Sequence, residues 1–161
     1  MNFFFTGAKA IFYGTAFLLI WAWIASRFRA VDQYFPHLLP AWSGIPGVIL
    51  VCLGAILALW CLGAFVYGGR GTAAPFDPPR QFVASGPYRL VRNPMYIGGC
   101  VMLAGFGLCE RSIGILLFSL IWLLLAHAYV VFFEEPGLEK RFGESYLAYK
   151  KSVRRWIPFR K

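Results

Sequence analysis

The chain has 161 residues, of which 59% are hydrophobic, 19% are aromatic and only 14% are charged. A single small soluble domain cannot bury so large an apolar fraction, so composition excludes that class and predicts that lipid surrounds much of the chain. The formal charge of +9 is typical of loops that face one side of a membrane and its anionic headgroups, and beyond it we find no signature of nucleic-acid binding.

Four apolar runs, taken in chain order, predict an all-α, polytopic transmembrane helix bundle. They cover approximately residues 8–26, 44–66, 94–109 and 113–133. Three of them reach the roughly 20 residues that a spanning helix needs. The run 94–109 gives only about 24 Å of helix, so we expect its start at Asn93 to lie below the headgroups and to border a cavity enclosed by protein.

The chain is predicted to form one integral membrane domain over residues 1–161. Residues 1–66 hold the first two spanning helices, 67–93 a cytoplasmic loop, and 94–161 a cofactor-binding helical hairpin with a C-terminal amphipathic helix. Thirteen of the 16 Lys and Arg residues fall in the termini and in this loop. The positive-inside rule therefore predicts that both termini are cytoplasmic. The first run is too long for a signal-peptide core and lacks a persuasive cleavage site, so we expect it to be retained.

The cysteines and histidines show no metal-ligand spacing, and no metal site is predicted. The four cysteines fall within the predicted spans and are interpreted as apolar packing residues: Cys52, Cys61, Cys100 and Cys109. His37 lies in the outer loop, where a solvated or interfacial role is expected. His127 lies inside the fourth run, about two helical turns before Glu134 and so on the same face. A satisfied interhelical hydrogen bond and a functional role are both open for it.

The turn before the third run has the pattern of a helix start. Asn93 suits the N-cap and Pro94 the first helical position. The free N–H groups of such a terminus attract a carboxylate or phosphate, and Arg89 and Arg92 add positive charge beside it. The sequence therefore predicts an anion-binding wall at this turn.

The fourth run ends in two adjacent carboxylates, Glu134 and Glu135. We expect them at a helix C-terminus that Pro136 closes, where the macrodipole disfavours negative charge and favours a cationic partner. That partner is either a nearby arginine or the ammonium group of a bound amino-acid moiety. Because neighbouring helical residues point about 100° apart, one carboxylate is expected to face the site and the other a basic neighbour.

The tail after Gly137 has the periodicity of one amphipathic helix. Its apolar stripe consists of Leu138, Phe142, Tyr146, Tyr149 and Val153. With basic residues between them, this pattern predicts a helix that docks on the membrane surface and also closes the cavity from below.

Two motifs in the second half of the chain resemble a known superfamily. They read Gly-Pro-Tyr-x3-Arg-Asn-Pro-Met-Tyr-x-Gly and Glu-Glu-Pro-x-Leu-x3-Phe-Gly-x2-Tyr-x2-Tyr-x3-Val-x-Arg-Trp-Ile-Pro. In this order, over roughly residues 80–158, they are similar to the isoprenylcysteine carboxyl methyltransferases and phospholipid methyltransferases. The resemblance implies an integral membrane methyltransferase that uses S-adenosylmethionine. It also implies that this cofactor enters its site from the cytosol and that a lipophilic acceptor enters from the bilayer.

The resemblance also implies which residues contact the cofactor. Together with Arg92, which the charge pattern adds, they are Arg80, Gln81, Phe82, Val83, Tyr88, Asn93, Pro94, Met95 and Tyr96, with one glutamate of the pair Glu134 and Glu135. The methyl group is expected to pass directly to the acceptor, without a covalent enzyme intermediate. His127 is a candidate general base only for an acceptor that must lose a proton.

Two departures from the family pattern bear on this reading. Asn93 replaces the histidine of the Arg-His-Pro version, and its polar side chain still suits cofactor binding. Carboxyl methyltransferases of the family carry an arginine about one turn before the critical glutamate, where this chain has Val130 and Val131. A phospholipid amine or another small lipophilic nucleophile is therefore as plausible an acceptor as an isoprenylcysteine carboxylate.

Two other functions remain open from the sequence. Membrane sterol reductases share a related C-terminal architecture and would use NADPH, but they are usually larger, with more spanning helices. A non-catalytic membrane protein that keeps the scaffold for cofactor binding is the other possibility.

Overall fold

The computed structural model describes residues 3–35, 38–69 and 81–158, and this part of the chain is all-α. Helix α1 (Phe3–Arg27) continues into a 3₁₀ turn, Phe28–Tyr34. Helix α2 (Gly44–Ala64) follows a short 3₁₀ turn, Ala41–Ser43, and ends in a π-helical turn, Phe65–Gly69. After a 3₁₀ turn at Gly86–Arg89 come α3 (Pro94–Cys109), α4 (Ile113–Tyr129), a second π-helical turn (Val130–Glu134), α5 (Glu135–Phe142) and α6 (Glu144–Ser152).

The helices confirm the predicted multi-pass membrane bundle. Three helical stretches are long and apolar enough to cross a membrane, namely Phe5–Tyr34, Ala41–Gly69 and Ile113–Phe142, and Pro94–Cys109 forms the shorter apolar helix. Large apolar side chains such as Phe12 and Ile45 are mostly exposed on the outside of the bundle. Lipid explains this exposure, because hydrocarbon tails solvate such side chains and an intrahelical hydrogen-bond network satisfies the backbone.

Helices α2 and α3 pack most closely, because glycines let their backbones approach. A Cβ atom added to Gly54 of α2 would lie 2.6 Å from the Gly98 carbonyl oxygen of α3, and one added to Gly105 would lie 2.7 Å from the Gly47 carbonyl oxygen. Both glycine pairs repeat every seven residues, which keeps them on one face of each helix. This contact fixes the start of α3 against the rest of the bundle.

Aromatic side chains hold α1 against α4. Trp21 lies 5.9 Å from both Phe118 and Trp122, measured between ring centroids, and Phe28 lies 4.5 Å from Phe118. At the turn between α3 and α4, the buried Ser112 hydroxyl accepts a hydrogen bond of 3.1 Å from the Ile115 amide and so caps α4. These contacts set the position of α4, which carries the acidic pair.

The sequence predicted that the fourth apolar helix ends at Pro136, but the helix continues past this residue. The chain passes from α4 through the π-helical turn Val130–Glu134 into α5, and Pro136 lies in the first turn of α5. A proline inside a regular helix loses one backbone hydrogen bond and clashes with the preceding turn. The wider π-helical turn just before it accommodates the proline, and such turns are frequent at functional sites.

The tail forms two helices rather than the single amphipathic helix that we predicted. Gly143 separates α5 from α6 with φ of 52° and ψ of −128°, a conformation that favours glycine. The apolar stripe turns inward: the Phe82 ring lies 5.5 Å from Phe142, 5.8 Å from Tyr146 and 5.1 Å from Tyr149, between centroids. Phe142, Tyr146 and Tyr149 of the stripe therefore pack on the loop before α3.

Three of the four cysteines take the predicted packing role. Cys61 is buried, and Cys100 and Cys109 are half-buried, whereas Cys52 is exposed on the outer face of α2, so the prediction was wrong for that residue. All four thiols are free. His37 lies outside the described residues.

Candidate functional site

The buried carboxylate of Glu135 connects three parts of the C-terminal half. Its Oε1 accepts hydrogen bonds of 2.8 Å from Arg92 Nη2 and 2.7 Å from Arg155 Nε, and its Oε2 accepts one of 2.9 Å from Arg155 Nη2. Lys150 Nζ lies 3.6 Å from Oε2. The side chains of Arg92 and Glu135 are 8% and 5% exposed, so this is a buried ion-pair cluster in which both charges are compensated. The hydrogen bond to Glu135 also raises the pKa of Arg155.

The neighbouring Glu134 has a different environment. It is half-buried, and its Oε2 accepts a hydrogen bond of 2.7 Å from the Tyr96 hydroxyl at the start of α3. Unlike Glu135, it forms no ion pair with any residue in the described ranges. The two carboxylates thus point to different surroundings, as expected for neighbouring helical residues: Glu135 faces basic side chains, and Glu134 faces Tyr96.

Arg92 is more fully engaged than the sequence suggested. Its Nη1 donates to the carbonyl oxygens of Lys150 at 3.0 Å and Val153 at 3.2 Å, and its backbone amide donates to Arg154 O at 2.9 Å. Its Nε is buried and has no hydrogen-bond partner within the described ranges. Arg89, the other predicted cationic wall residue, is exposed. The buried Nε–H of Arg92 is thus a donor without a partner among the described residues.

The start of α3 differs in detail from the predicted cap. Pro94 occupies the first helical turn as expected, but the Asn93 side chain makes no capping hydrogen bond. Its Nδ2 instead donates to the Arg155 carbonyl oxygen at 3.4 Å, and the residue is buried. Asn93 therefore connects the C-terminal segment to the loop before α3 by a hydrogen bond. Helix propensity alone does not predict this contact. Met95 packs against the buried cluster formed by Cys61, Val83 and Tyr88.

Most of the predicted residues in the loop before α3 pack into the protein. Tyr88 is buried, its ring lies 5.2 Å from that of Phe65, and its carbonyl oxygen accepts a hydrogen bond of 2.6 Å from the Tyr149 hydroxyl. Burial raises the pKa of Tyr88 well above its ordinary value, so this residue stays neutral. Val83 is buried and Phe82 half-buried, whereas Gln81 is exposed. Arg80 lies outside the described residues.

His127 contacts a residue that the sequence analysis did not place at the site. Its Nδ1 accepts a hydrogen bond of 2.9 Å from Trp156 Nε1, while the histidine itself is exposed on the surface of α4. The Trp156 ring also lies 6.4 Å from that of Tyr96, at an interplanar angle of 76°. Trp156 thus contacts both His127 and the tyrosine that binds Glu134. The Arg-Trp-Ile-Pro end of the second motif was the signal that could have indicated this role for Arg155 and Trp156.

An apolar cavity lies next to this site, between α1, α3 and α4. Its volume is about 190 Å³, and its lining includes Phe17, Trp21, Gly99, Met102, Phe106 and Trp122. The Trp122 ring lies 6.1 Å from that of Tyr96. A Cβ atom added to Gly99 would lie 3.0 Å from the Trp122 ring, so this glycine leaves room for the indole. Trp122 therefore lines the cavity and also packs against the tyrosine of the Tyr96–Glu134 pair.

The chain is similar to known proteins over most of its length. The family model described as phospholipid methyltransferase matches residues 42–145. Protein-S-isoprenylcysteine O-methyltransferase A of Arabidopsis thaliana is 27% identical over 124 residues, which are 73% of this chain and 60% of that relative. This chain thus spans about three-fifths of the relative's length. No solved structure matches it. The family match covers the whole first motif and the second motif as far as residue 145, near the start of α6, and the chain belongs to the phospholipid methyltransferase family.

Proposed function

We propose that the protein is an integral membrane methyltransferase that uses S-adenosylmethionine and methylates a lipophilic acceptor at the boundary between membrane and cytosol. The observation that carries the proposal is the Tyr96–Glu134 pair at the start of the short helix α3. Its carboxylate lacks a cationic partner within the described ranges, and its tyrosine packs against Trp122, which lines an apolar cavity. Family membership supports the reaction class.

The polar groups left over at the site fit the methyl donor. The half-buried Glu134 suits the ammonium group of the amino-acid part, and the buried Nε of Arg92 suits its carboxylate. Tyr96, an aromatic ring that contacts both Trp122 and Trp156, suits a cationic sulfonium. When bound, S-adenosylmethionine supplies an activated methyl group that moves from its sulfonium sulfur to the acceptor's nucleophile.

The chain's own contribution is orientation and the exclusion of water. The ion pairs of Glu135 hold the loop before α3, α5 and the segment after α6 together. A rigid enclosure of this kind aligns the two reactants, which is worth several kcal/mol of the barrier in well-oriented reactions. It also keeps water from the reacting centre. No side chain needs to form a covalent bond with the methyl group.

The apolar cavity supports a hydrocarbon acceptor. Its lining is contributed by membrane helices, and it approaches Tyr96 through Trp122. The positions where related carboxyl methyltransferases carry an arginine are filled by Val130, which is buried, and Val131, which is half-buried. The site thus offers no cation there for a substrate carboxylate, which favours a phospholipid amine over an isoprenylcysteine.

Methyl transfer from labelled S-adenosylmethionine tests the proposed function. Purified protein in detergent is mixed with phosphatidylethanolamine or with a farnesylated cysteine, and the label in the extracted lipid is counted. We expect transfer to phosphatidylethanolamine to be the faster of the two. Label in neither acceptor, combined with saturable NADPH binding, would instead support the reductase. Saturable binding of S-adenosylmethionine without transfer to any extracted membrane lipid would support a binding protein.

A further inference from the structure

The C-terminal segment, residues 153–158, lies across the loop that precedes α3. The backbone carbonyls of Val153 and Arg154 accept hydrogen bonds from Arg92, at 3.2 Å and 2.9 Å, and that of Arg155 accepts one from Asn93 at 3.4 Å. These bonds fix the backbone of the segment to one side of the site. They leave its side chains to reach the other side.

Two of those side chains bind the helical stretch that carries the acidic pair. Arg155 binds Glu135, and Trp156 donates its indole N–H to His127. His127 belongs to the helical stretch Ile113–Phe142, which is long and apolar enough to cross a membrane. Where lipid rather than water surrounds such a stretch, an indole N–H and an imidazole are costly unless they bind each other, and the bond then has more weight than it would in water.

Trp156 is the link between this bond and the proposed reaction site. Its ring packs edge-on against Tyr96, with 6.4 Å between centroids, and the Tyr96 hydroxyl donates to Glu134 at 2.7 Å. A displaced indole would leave the Tyr96 ring without a neighbour on that side. We propose that Trp156, held by His127, is a positioning residue that keeps the Tyr96–Glu134 pair in place and holds the C-terminal segment closed over it.

This inference rests on the proposed function, and it gives His127 a role other than general base. His127 Nδ1 is already occupied by the indole N–H. Asparagine keeps a hydrogen-bond acceptor near the place of Nδ1 but cannot act as a base, whereas phenylalanine keeps a ring and removes the acceptor. The two substitutions therefore separate the two roles.

The test compares four variants of the full chain in detergent: Trp156→Phe, His127→Phe, His127→Asn and the control Trp42→Phe. Trp42 is 68% exposed in the 3₁₀ turn before α2 and serves to measure the effect of losing an indole elsewhere. Turnover is measured with labelled S-adenosylmethionine and vesicles of total membrane lipid. Trypsin cleavage after Arg154 and Arg155 is followed by mass spectrometry, because it reports release of the C-terminal segment whether or not methyl transfer takes place.

Loss of the Trp156–His127 bond is expected to lower turnover about fivefold, the equivalent of one net hydrogen bond. Trp156→Phe and His127→Phe should both show this loss and faster cleavage, together with a higher KM for S-adenosylmethionine, because the displaced Tyr96–Glu134 pair is the one proposed to bind it. His127→Asn and Trp42→Phe should behave like the wild type.

Other results would overturn the proposal or one of its parts. Wild-type turnover in both phenylalanine variants would overturn the positioning role, and a His127→Asn variant as slow as His127→Phe would assign His127 as a base instead. If the wild type transfers no label, the proposed function fails and the positioning role with it. Unchanged cleavage in the phenylalanine variants would overturn the contact even then.

Discussion

At the scale of single residues, two adjacent glutamates have opposite environments. Glu135 is buried among cationic side chains, and Glu134 is bound by one neutral tyrosine. The first carboxylate accepts three hydrogen bonds from arginines and joins the loop before α3, α5 and the segment after α6. The second carboxylate remains available, which is the property that a binding site for a cationic group needs.

Substituting each glutamate by glutamine should therefore have different effects on stability. Glu135→Gln leaves the buried Arg92 without its counter-charge and should lower the free energy of unfolding by about 3 kcal/mol. Glu134→Gln keeps an acceptor for Tyr96 and should change it by less than about 1 kcal/mol. Thermal unfolding midpoints in one detergent measure both. Equal midpoints for the two variants would show that the Glu135 cluster does not hold the fold together.

At the scale of helices, the close contact between α2 and α3 is the feature that holds the start of α3 in place. A methyl group on Gly54 would meet the backbone of Gly98, which cannot move without separating the helices. Gly63 lies on the same helix with nothing within 4 Å of an added Cβ atom. The two positions thus provide a test and its matched control.

Gly54→Ala should destabilise the protein by about 1–3 kcal/mol through overpacking. Gly63→Ala should be neutral or slightly stabilising, because alanine favours a helix over glycine. Thermal unfolding in detergent compares them. Similar midpoints in both variants would mean that backbone contact between α2 and α3 is not important to the fold.

The helices also indicate what the sequence can predict at this scale. Apolar runs and a proline after a polar turn were sufficient for the three long apolar helices, for the shorter one and for its start, because those signals are local. Pro136 was read as a stop, but the preceding π-helical turn carries the chain past it. The break at Gly143 was not predicted, because the apolar stripe continues across it in the sequence. In the structure Gly143 has a positive φ and separates α5 from α6.

At the scale of the whole molecule, the candidate site is formed by segments that lie far apart in the sequence. The motifs predicted which stretches of chain take part, and the division of the acidic pair followed from helical geometry. The Arg-Trp-Ile-Pro end of the second motif marked Arg155 and Trp156, but their partners Glu135 and His127 could not be predicted, because the pairing depends on how the tail folds back over α4. The same holds for Asn93, whose side chain binds the tail and does not cap α3.

The assembled molecule suggests separate approaches for the two reactants. The charge distribution favours cytoplasmic termini, which would give a water-soluble donor access from the cytosol. The apolar cavity beside Tyr96 would receive a hydrocarbon group from the bilayer. In this account Glu134 and Tyr96 lie where the two approaches meet.

The central claim is that Glu134 belongs to a site for S-adenosylmethionine. Calorimetric titration of this compound into the wild type and into Glu134→Gln, both purified in the same detergent, tests it most directly. We expect saturable binding to a single site in the wild type and at least about tenfold weaker binding in the variant, the loss expected when a charged hydrogen bond becomes neutral. Absence of saturable binding in the wild type, or equal affinity in the two proteins, would contradict the account.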